Sequence, residues 1–364
     1  MNKGILIIYN TCSIGWDKTP RLKSLEQWKK DLMALKMQDF PYIQIVVTEC
    51  RGPGHLKWAS GKHYIEYKKW LTAQNIPYIN VDEYMPFGQS VNHAVKTMIQ
   101  ANGRYEYYMY WSSGFECKTH PDGSETDNQI LSNIYTSLQE NTNVCRANLF
   151  ASNDNKPSFE YLHDNANKSL HIMTPGQAIN DHCSIYSDFF VKSYDDCIRP
   201  DIYKGNGSEA CFPYMAAAIG KKCAVIQGGI CPPLIHHRTL DGKNPGIKNR
   251  MDKWYIKTLD SENGDEYLNA EEVEEKTTRC IKAGILMNTE GQILVLRNGQ
   301  TYVRTDPKDR SNKDSHKFVK QRYGKAFWEG NTIDQNNLQT FIKKEFFVQG
   351  FDYKQIKASY HGIK

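Results

Sequence analysis

The sequence lacks any apolar run long enough to cross a bilayer. Its longest, such as Ile5–Tyr9, fall far short of the ~18 residues a spanning helix needs. The five apolar residues after Met1-Asn2-Lys3-Gly4 are also too short for a secretory leader, and no small-x-small cleavage pattern follows. They read better as a buried first strand. No Cys-x-x-Cys pair occurs among the ten cysteines, which speaks against a structural zinc site and for reduced thiols, several of them in the core. The expected location is the cytoplasm. There is no internal repeat, and 25 glycines and 14 prolines in 364 residues are too few for a collagen-like or low-complexity chain. With 40% hydrophobic residues the chain can bury a sizeable core, which excludes wholesale disorder.

Charge is unevenly placed. Residues 301–364 hold 13 Lys/Arg against 7 Asp/Glu, a net of +6, while the first 300 residues carry −1. Such asymmetry marks either a polyanion-binding segment or plain solvated surface.

The first half alternates apolar runs with amphipathic stretches. Strands are predicted at 4–9, 42–47, 76–81 and 105–111, with helices at 22–37, 63–71 and 90–100. This order predicts an α/β domain with a Rossmann-like, mostly parallel central sheet and helices on both faces. A helix at 128–139 and a short strand at 147–152 follow. Residues 182–191 and 209–219 read as helical or mixed, and 222–227 as strand. The acidic run 260–276 reads as a solvated linker or helix. Residues 284–287 and 292–297 flank Thr289-Glu290-Gly291 as a β-hairpin. The expected division is a first domain over 1–255. Residues 256–364 would form the acidic linker, the β-hairpin and a small, basic, α-rich C-terminal module.

In open parallel sheets the carboxyl ends of the strands form the ligand crevice. Four segments fall there: Tyr9-Asn10-Thr11, Glu49-Cys50-Arg51-Gly52, Gly88-Gln89-Ser90-Val91-Asn92 and Trp111-Ser112-Ser113-Gly114. Each has a plain structural reading: Asn10 as a turn former, Glu49 as a solvated acid, Gly88 as a helix-opening residue and Ser112-Ser113 as a turn. Their order and spacing resemble the family 2 type of GT-A glycosyltransferases. That family opens with a strand ending in Pro-x-Tyr-Asn, as Ile7-Ile8-Tyr9-Asn10 does in part. Its second strand ends in an acid, here Glu49. Its Gly-x-Ser/x-x-x-Asn helix start is similar to Gly88–Asn92. The aromatic strand that closes in Asp-x-Asp corresponds to the one ending in Trp111-Ser112-Ser113-Gly114, where no aspartate is present.

The resemblance implies an enzyme moving a hexosyl or pentosyl group from UDP- or another nucleotide-sugar to an acceptor hydroxyl, with inversion. Tyr9 and Glu49 would contact the base, Asn92 and the Ser112 turn the ribose and diphosphate, and Asn10, Gly88, Trp111 and Ser113 would also belong to the nucleotide-sugar site. His236 and His237 would lie near the diphosphate. Counting back from Gly220 puts Glu209 on the family's catalytic base, with Asp181 in reserve; the alternative for Glu209 is an acid favoured by a helix N-terminus. Serine hydroxyls are poor sole ligands for Mg²⁺ or Mn²⁺. Either no metal is required and cations such as Arg51, Lys57 or Arg238 stand in, or a weakly held ion relies on Glu116, Asp122 or a histidine. The acceptor would be a carbohydrate or polymer. Arg304, Lys308, Arg310, Lys317 and Arg322, interleaved with aromatics, raise DNA carrying a modified base as an alternative acceptor. A protein that binds nucleotide-sugars without catalysis is a third reading.

Overall fold

The structure is a computed structural model. It describes residues 3–11, 22–49, 62–81, 87–112, 115–116, 128–149, 151–153, 156–157, 170–173, 183–201, 211–226, 234–236, 286–287, 293–297, 300–303, 339–340, 342–343, 346–347, 351–356 and 358–362. The acidic run 260–276 and the basic residues Arg304, Lys308, Arg310, Lys317 and Arg322 lie outside them.

The first apolar run forms β1 (Lys3–Thr11), and Ile5, Leu6, Ile7, Ile8 and Tyr9 are all fully buried. A run without alternation requires cover on both faces, and the helices supply it. Ile5, Ile7 and Tyr9 pack with Trp28, Leu32 and Leu35 of α1 (Leu22–Lys36) and with Tyr67 and Leu71 of α2 (Lys62–Ala73). Leu6 and Ile8 face the other way, onto Val91, Ala94, Val95 and Met98 of α3 (Phe87–Asn102).

Around β1 stand β2 (Ile43–Glu49), β3 (Tyr78–Val81) and β4 (Tyr105–Ser112). Next come β5 (Phe115–Glu116), α4 (Ile130–Glu140), β6 (Val144–Leu149), β7 (Ala151–Asn153), β8 (Lys156–Pro157) and β9 (Leu170–Met173). Then follow β10 (Cys183–Ser187), α5 (Asp188–Ser193), α6 (Phe212–Ala218), β11 (Lys222–Ile226) and β12 (Leu234–His236). Near the end lie β13 (Leu286–Met287), β14 (Ile293–Arg297), β15 (Gln300–Val303) and β16 (Ala358–His361).

One nine-stranded sheet runs in the order β16-β3-β2-β1-β4-β10-β6-β11-β9. The half containing β3, β2, β1 and β4 is parallel, as the strand–helix alternation predicts. The rest is not. β10 pairs antiparallel with both β4 and β6, β9 antiparallel with β11, and β16 antiparallel with β3; only β6 and β11 pair in parallel. The fold is therefore mixed α/β, and the expectation of a mostly parallel sheet is corrected for its second half. β10 takes its place because residues 183–187 are extended, and Ser187 then opens α5 by accepting from the Phe190 N–H.

A second sheet, β5-β12-β7-β8, grows from the carboxyl end of the first, since β5 follows β4 and β7 follows β6 after one or two residues. β13, β14 and β15 form a third, antiparallel sheet that contains the hairpin expected around Thr289.

The chain end returns to the large sheet. Ile342 and Phe346 are fully buried beside Tyr194 and Met98, in the cluster on the α3 face. Phe347 stacks on Tyr194 at 5.8 Å, and β16 completes the edge, with His361 stacked on Tyr78 at 4.5 Å. The boundary near 255 assigns residues 339–362 to the C-terminal module; in space they pack on the sheet that β1 begins.

Candidate functional site

The strand order changes direction between β1 and β4, since β2 lies on one side of β1 and β4 on the other. A crevice opens at the carboxyl ends of strands at such a point. In register there, Asn10 stands opposite Ser112 on β4 and opposite Thr48 on β2, and Thr11 stands opposite Glu49.

Side-chain alternation along β1 then decides what each residue can do. Tyr9 shares the face of Ile5 and Ile7, is fully buried, and donates its hydroxyl to Asp31 Oδ2 at 3.1 Å. Burial first, and the Asp31 charge second, push its pKa well above the usual phenol value. Tyr9 therefore belongs to the α1–α2 core and does not face the crevice, which corrects the expectation that it meets a base. Trp111 lies in the same core, 1% exposed, which corrects its place among the nucleotide-sugar-binding residues.

Asn10 points to the other face. Its Nδ2 donates to Ser90 Oγ at 2.8 Å, tying the end of β1 to the first turn of α3. Thr11 Oγ1 donates to the Thr48 carbonyl at 3.2 Å. The Thr48 hydroxyl is fully buried and has no hydrogen-bond partner among the described residues. Ser112 is partly buried. The result is a small neutral group, Asn10, Thr11, Thr48, Ser90 and Ser112, at the switch point.

Asn92 has a different task from the one the resemblance implies. It is fully buried, and its Nδ2 donates to the Arg199 carbonyl at 2.9 Å and to the Tyr353 hydroxyl at 3.1 Å. Its Oδ1 accepts from the N–H groups of Ile198 and Arg199, both at 3.0 Å. With both donors and both lone pairs engaged, nothing is left for a ligand. Gly88 also has a packing reason. A Cβ there would come within 2.8 Å of the Pro200 carbonyl and 3.2 Å of the Asp201 Cα. Gly88→Ala must push backbone apart, and overpacking of this kind costs about 1–3 kcal/mol. A lowered melting temperature is the expected result; an unchanged one would show that the 200–201 segment yields freely.

The remaining candidates are placed only in part. Glu49 ends β2, and His236 ends β12, where its backbone pairs with Phe115 just beyond β4. Arg51, Ser113, Asp181, Glu209 and His237 lie outside the described residues. Helix α6 starts at Phe212 with Pro213 in its first turn and carries no acid there, so the expected helix from 209 begins three residues later. It ends at Ala218, and Gly220, with a φ of 69°, lets the Gly220 and Lys221 N–H groups close on the carbonyls of Ala217 and Ala216.

Two arginines not singled out in the sequence flank the start of α6. The Arg146 and Arg199 guanidiniums, each 2% exposed, lie 3.8 and 5.9 Å from the Phe212 ring, and Arg199 lies 5.0 Å from Tyr110. Asp201 and Tyr353 were missed as well. Neither carries a local signal in the sequence.

Among the described residues no group of three or more His, Cys, Asp or Glu is placed to hold a metal ion. None of their helices is long and apolar enough to cross a membrane.

No protein-family model matches the sequence, and no curated protein is significantly similar to it. Among solved structures, S. aureus TarS residues 1–349 is 13% identical with a TM-score of 0.45, over 77% of this chain and 74% of that one. A longer TarS chain gives the same identity and score, but the match spans only 45% of it. GalNAc-T7 with UDP, GalNAc and Mn²⁺ is 11% identical with a TM-score of 0.42, over 71% of this chain and half of that one. Likenesses this distant assign neither an activity nor a site residue.

Proposed function

We propose that the chain is a GT-A-like glycosyltransferase that moves a sugar from a nucleotide-sugar to an acceptor hydroxyl with inversion. The observation that supports this best is the polar group at the switch point: Asn10, Thr48 and Ser112 on three adjacent parallel strands, with Ser90 at the head of α3. Ser112, half-buried, is placed to meet the ribose or diphosphate of a donor, with buried Asn10, Thr48 and Ser90 as the polar floor beneath it, Glu49 toward the base and Arg51, His236 and His237 toward the phosphates. In the reaction the acceptor oxygen attacks the anomeric carbon, and the bond from that carbon to the diphosphate oxygen breaks. The nucleoside diphosphate leaves with the bonding pair. The proton of the acceptor hydroxyl passes to the carboxylate of Glu209, or of Asp181 in reserve.

Among the described residues, the donor set at the end of β4 does not suit a divalent ion. Ser112 offers a neutral hydroxyl, its register neighbour Asn10 is neutral, and so is Thr48 on the far side of Asn10. Hard divalent cations of this kind favour carboxylate oxygens. No step is therefore routed through a metal. Released nucleoside diphosphate, measured for a panel of UDP-, GDP- and dTDP-sugars with and without EDTA, tests both statements. Turnover of one donor that persists in EDTA is expected. Turnover abolished by EDTA and restored by Mn²⁺ would overturn the metal reading, and neither binding nor turnover of any donor would overturn the enzyme.

A further inference from the structure

The C-terminal segment supplies a side chain that ties α3 to residues 198–201. Tyr353 stands 261 residues from Asn92 in sequence, yet its hydroxyl accepts from Asn92 Nδ2 at 3.1 Å and donates to Asp201 Oδ2 at 2.7 Å. A phenol has one proton and free lone pairs, so both bonds are made at once. The ring is held from two sides: the Lys96 ammonium lies 5.1 Å from its centroid, and Phe351 meets it edge-on at 4.7 Å. Asp201, 2% exposed, lies with Pro200 directly against Gly88 in the first turn of α3. Two residues on, Ser90 holds Asn10. A contiguous path of contacts thus runs from Tyr353 through Asp201 and Gly88 to the strand ends.

We propose that Tyr353 is a positioning residue for this site: through Asn92 and Asp201 it holds residues 198–201 against the head of α3. That contact fixes the point from which the chain sets out toward Ser208-Glu209. The catalytic half of this statement rests on the glycosyltransferase reading; the positioning half does not. Without the hydroxyl, one N–H of the buried Asn92 loses its acceptor and Asp201 loses a donor. An unsatisfied buried group costs more than the bond itself contributes, so the knot rearranges. Reacting groups displaced by about 1 Å can lose up to ~10²-fold in rate.

The test uses the full chain with Tyr353→Phe, which keeps the ring, beside His361→Ala, which weakens the same C-terminal segment at β16 without touching the knot. Two quantities are measured: amide hydrogen exchange of peptides covering 198–201, and kcat and KM with UDP-glucose and UDP-N-acetylglucosamine. For Tyr353→Phe, exchange at Ile198 and Arg199 rises, and kcat falls about tenfold with donor KM unchanged. His361→Ala leaves both at the wild-type level. Unchanged exchange at 198–201 in Tyr353→Phe overturns the proposal whatever the turnover. Faster exchange with unchanged kcat overturns its catalytic half, and so does an equal loss of kcat in His361→Ala. A wild-type chain that turns over no nucleotide-sugar sinks the enzyme reading, and exchange alone then decides the positioning. Should Tyr353→Phe fail to fold, Phe351→Ala removes the ring that meets Tyr353 edge-on; it should speed exchange at 198–201, and no change there overturns the proposal.

Discussion

A chain stopped after Leu338 should give no cooperative thermal transition and little soluble protein. Ile342 and Phe346 are each fully buried in the cluster on the α3 face. Truncating a single side chain of this kind to alanine costs about 2–5 kcal/mol, and removing the segment takes both away. The same cut removes β16, exposes the edge of β3, and leaves Asn92 and Asp201 without the Tyr353 hydroxyl. A domain is stable by only about 5–15 kcal/mol, so these losses together exceed what it can lose. Circular dichroism melts of the full and shortened chains decide the matter. If both melt at the same temperature, the packing of residues 339–362 does not hold the sheet together. Phe346→Ala alone gives a graded check, with an expected loss of about 3–5 kcal/mol in denaturant unfolding.

The second large effect belongs to Glu209→Gln. Glutamine keeps the shape and the hydrogen bonding of the side chain but cannot take a proton. A positioned general base contributes roughly 10²–10⁴-fold in rate, and turnover should fall by that factor. Donor affinity should stay close to the wild-type value, because the partner of this carboxylate is the acceptor hydroxyl. Retained turnover would pass the role to Asp181 or another acid. Collapsed donor binding would place Glu209 in the nucleotide site instead, against the count back from Gly220.

Elements buried on both faces were the legible ones. β1, β2 and β4 announce themselves as apolar runs, and α1 and α3 by helical spacing, so their predicted and observed limits differ by at most three residues. β16 could not be read this way. Ala358-Ser359-Tyr360-His361 alternates between half-buried and exposed positions at a sheet edge and carries no apolar run. β10 was blurred into the helix that follows it, because Cys183–Ser187 is short and α5 starts at the next residue. Strand direction is not encoded in either pattern, so the antiparallel half of the sheet stayed hidden.

The site shows a similar division. That the ends of β1, β2 and β4 meet follows from strand order alone, and they do meet. Which residues point into the crevice depends on parity along each strand, and here Tyr9 and Trp111 turn to the core while Asn10 turns toward α3. Asn92 shows the limit of a motif read without contacts. Its partners Ile198, Arg199 and Tyr353 are distant in sequence, and nothing local announces them.

The place of β16 also sets the order in which the molecule can be made. As the ribosome delivers the chain, β3 emerges long before β16, the strand that pairs with its outer edge. Asn92 and Tyr353 are 261 residues apart, and at ~5–20 residues per second that interval lasts on the order of ten seconds to a minute. Throughout it, one border of the nascent sheet shows unpaired amides and carbonyls to its surroundings, a template for strands of other chains. Polysomes translating this message should therefore be more prone to aggregation, and more dependent on chaperones, than the finished protein.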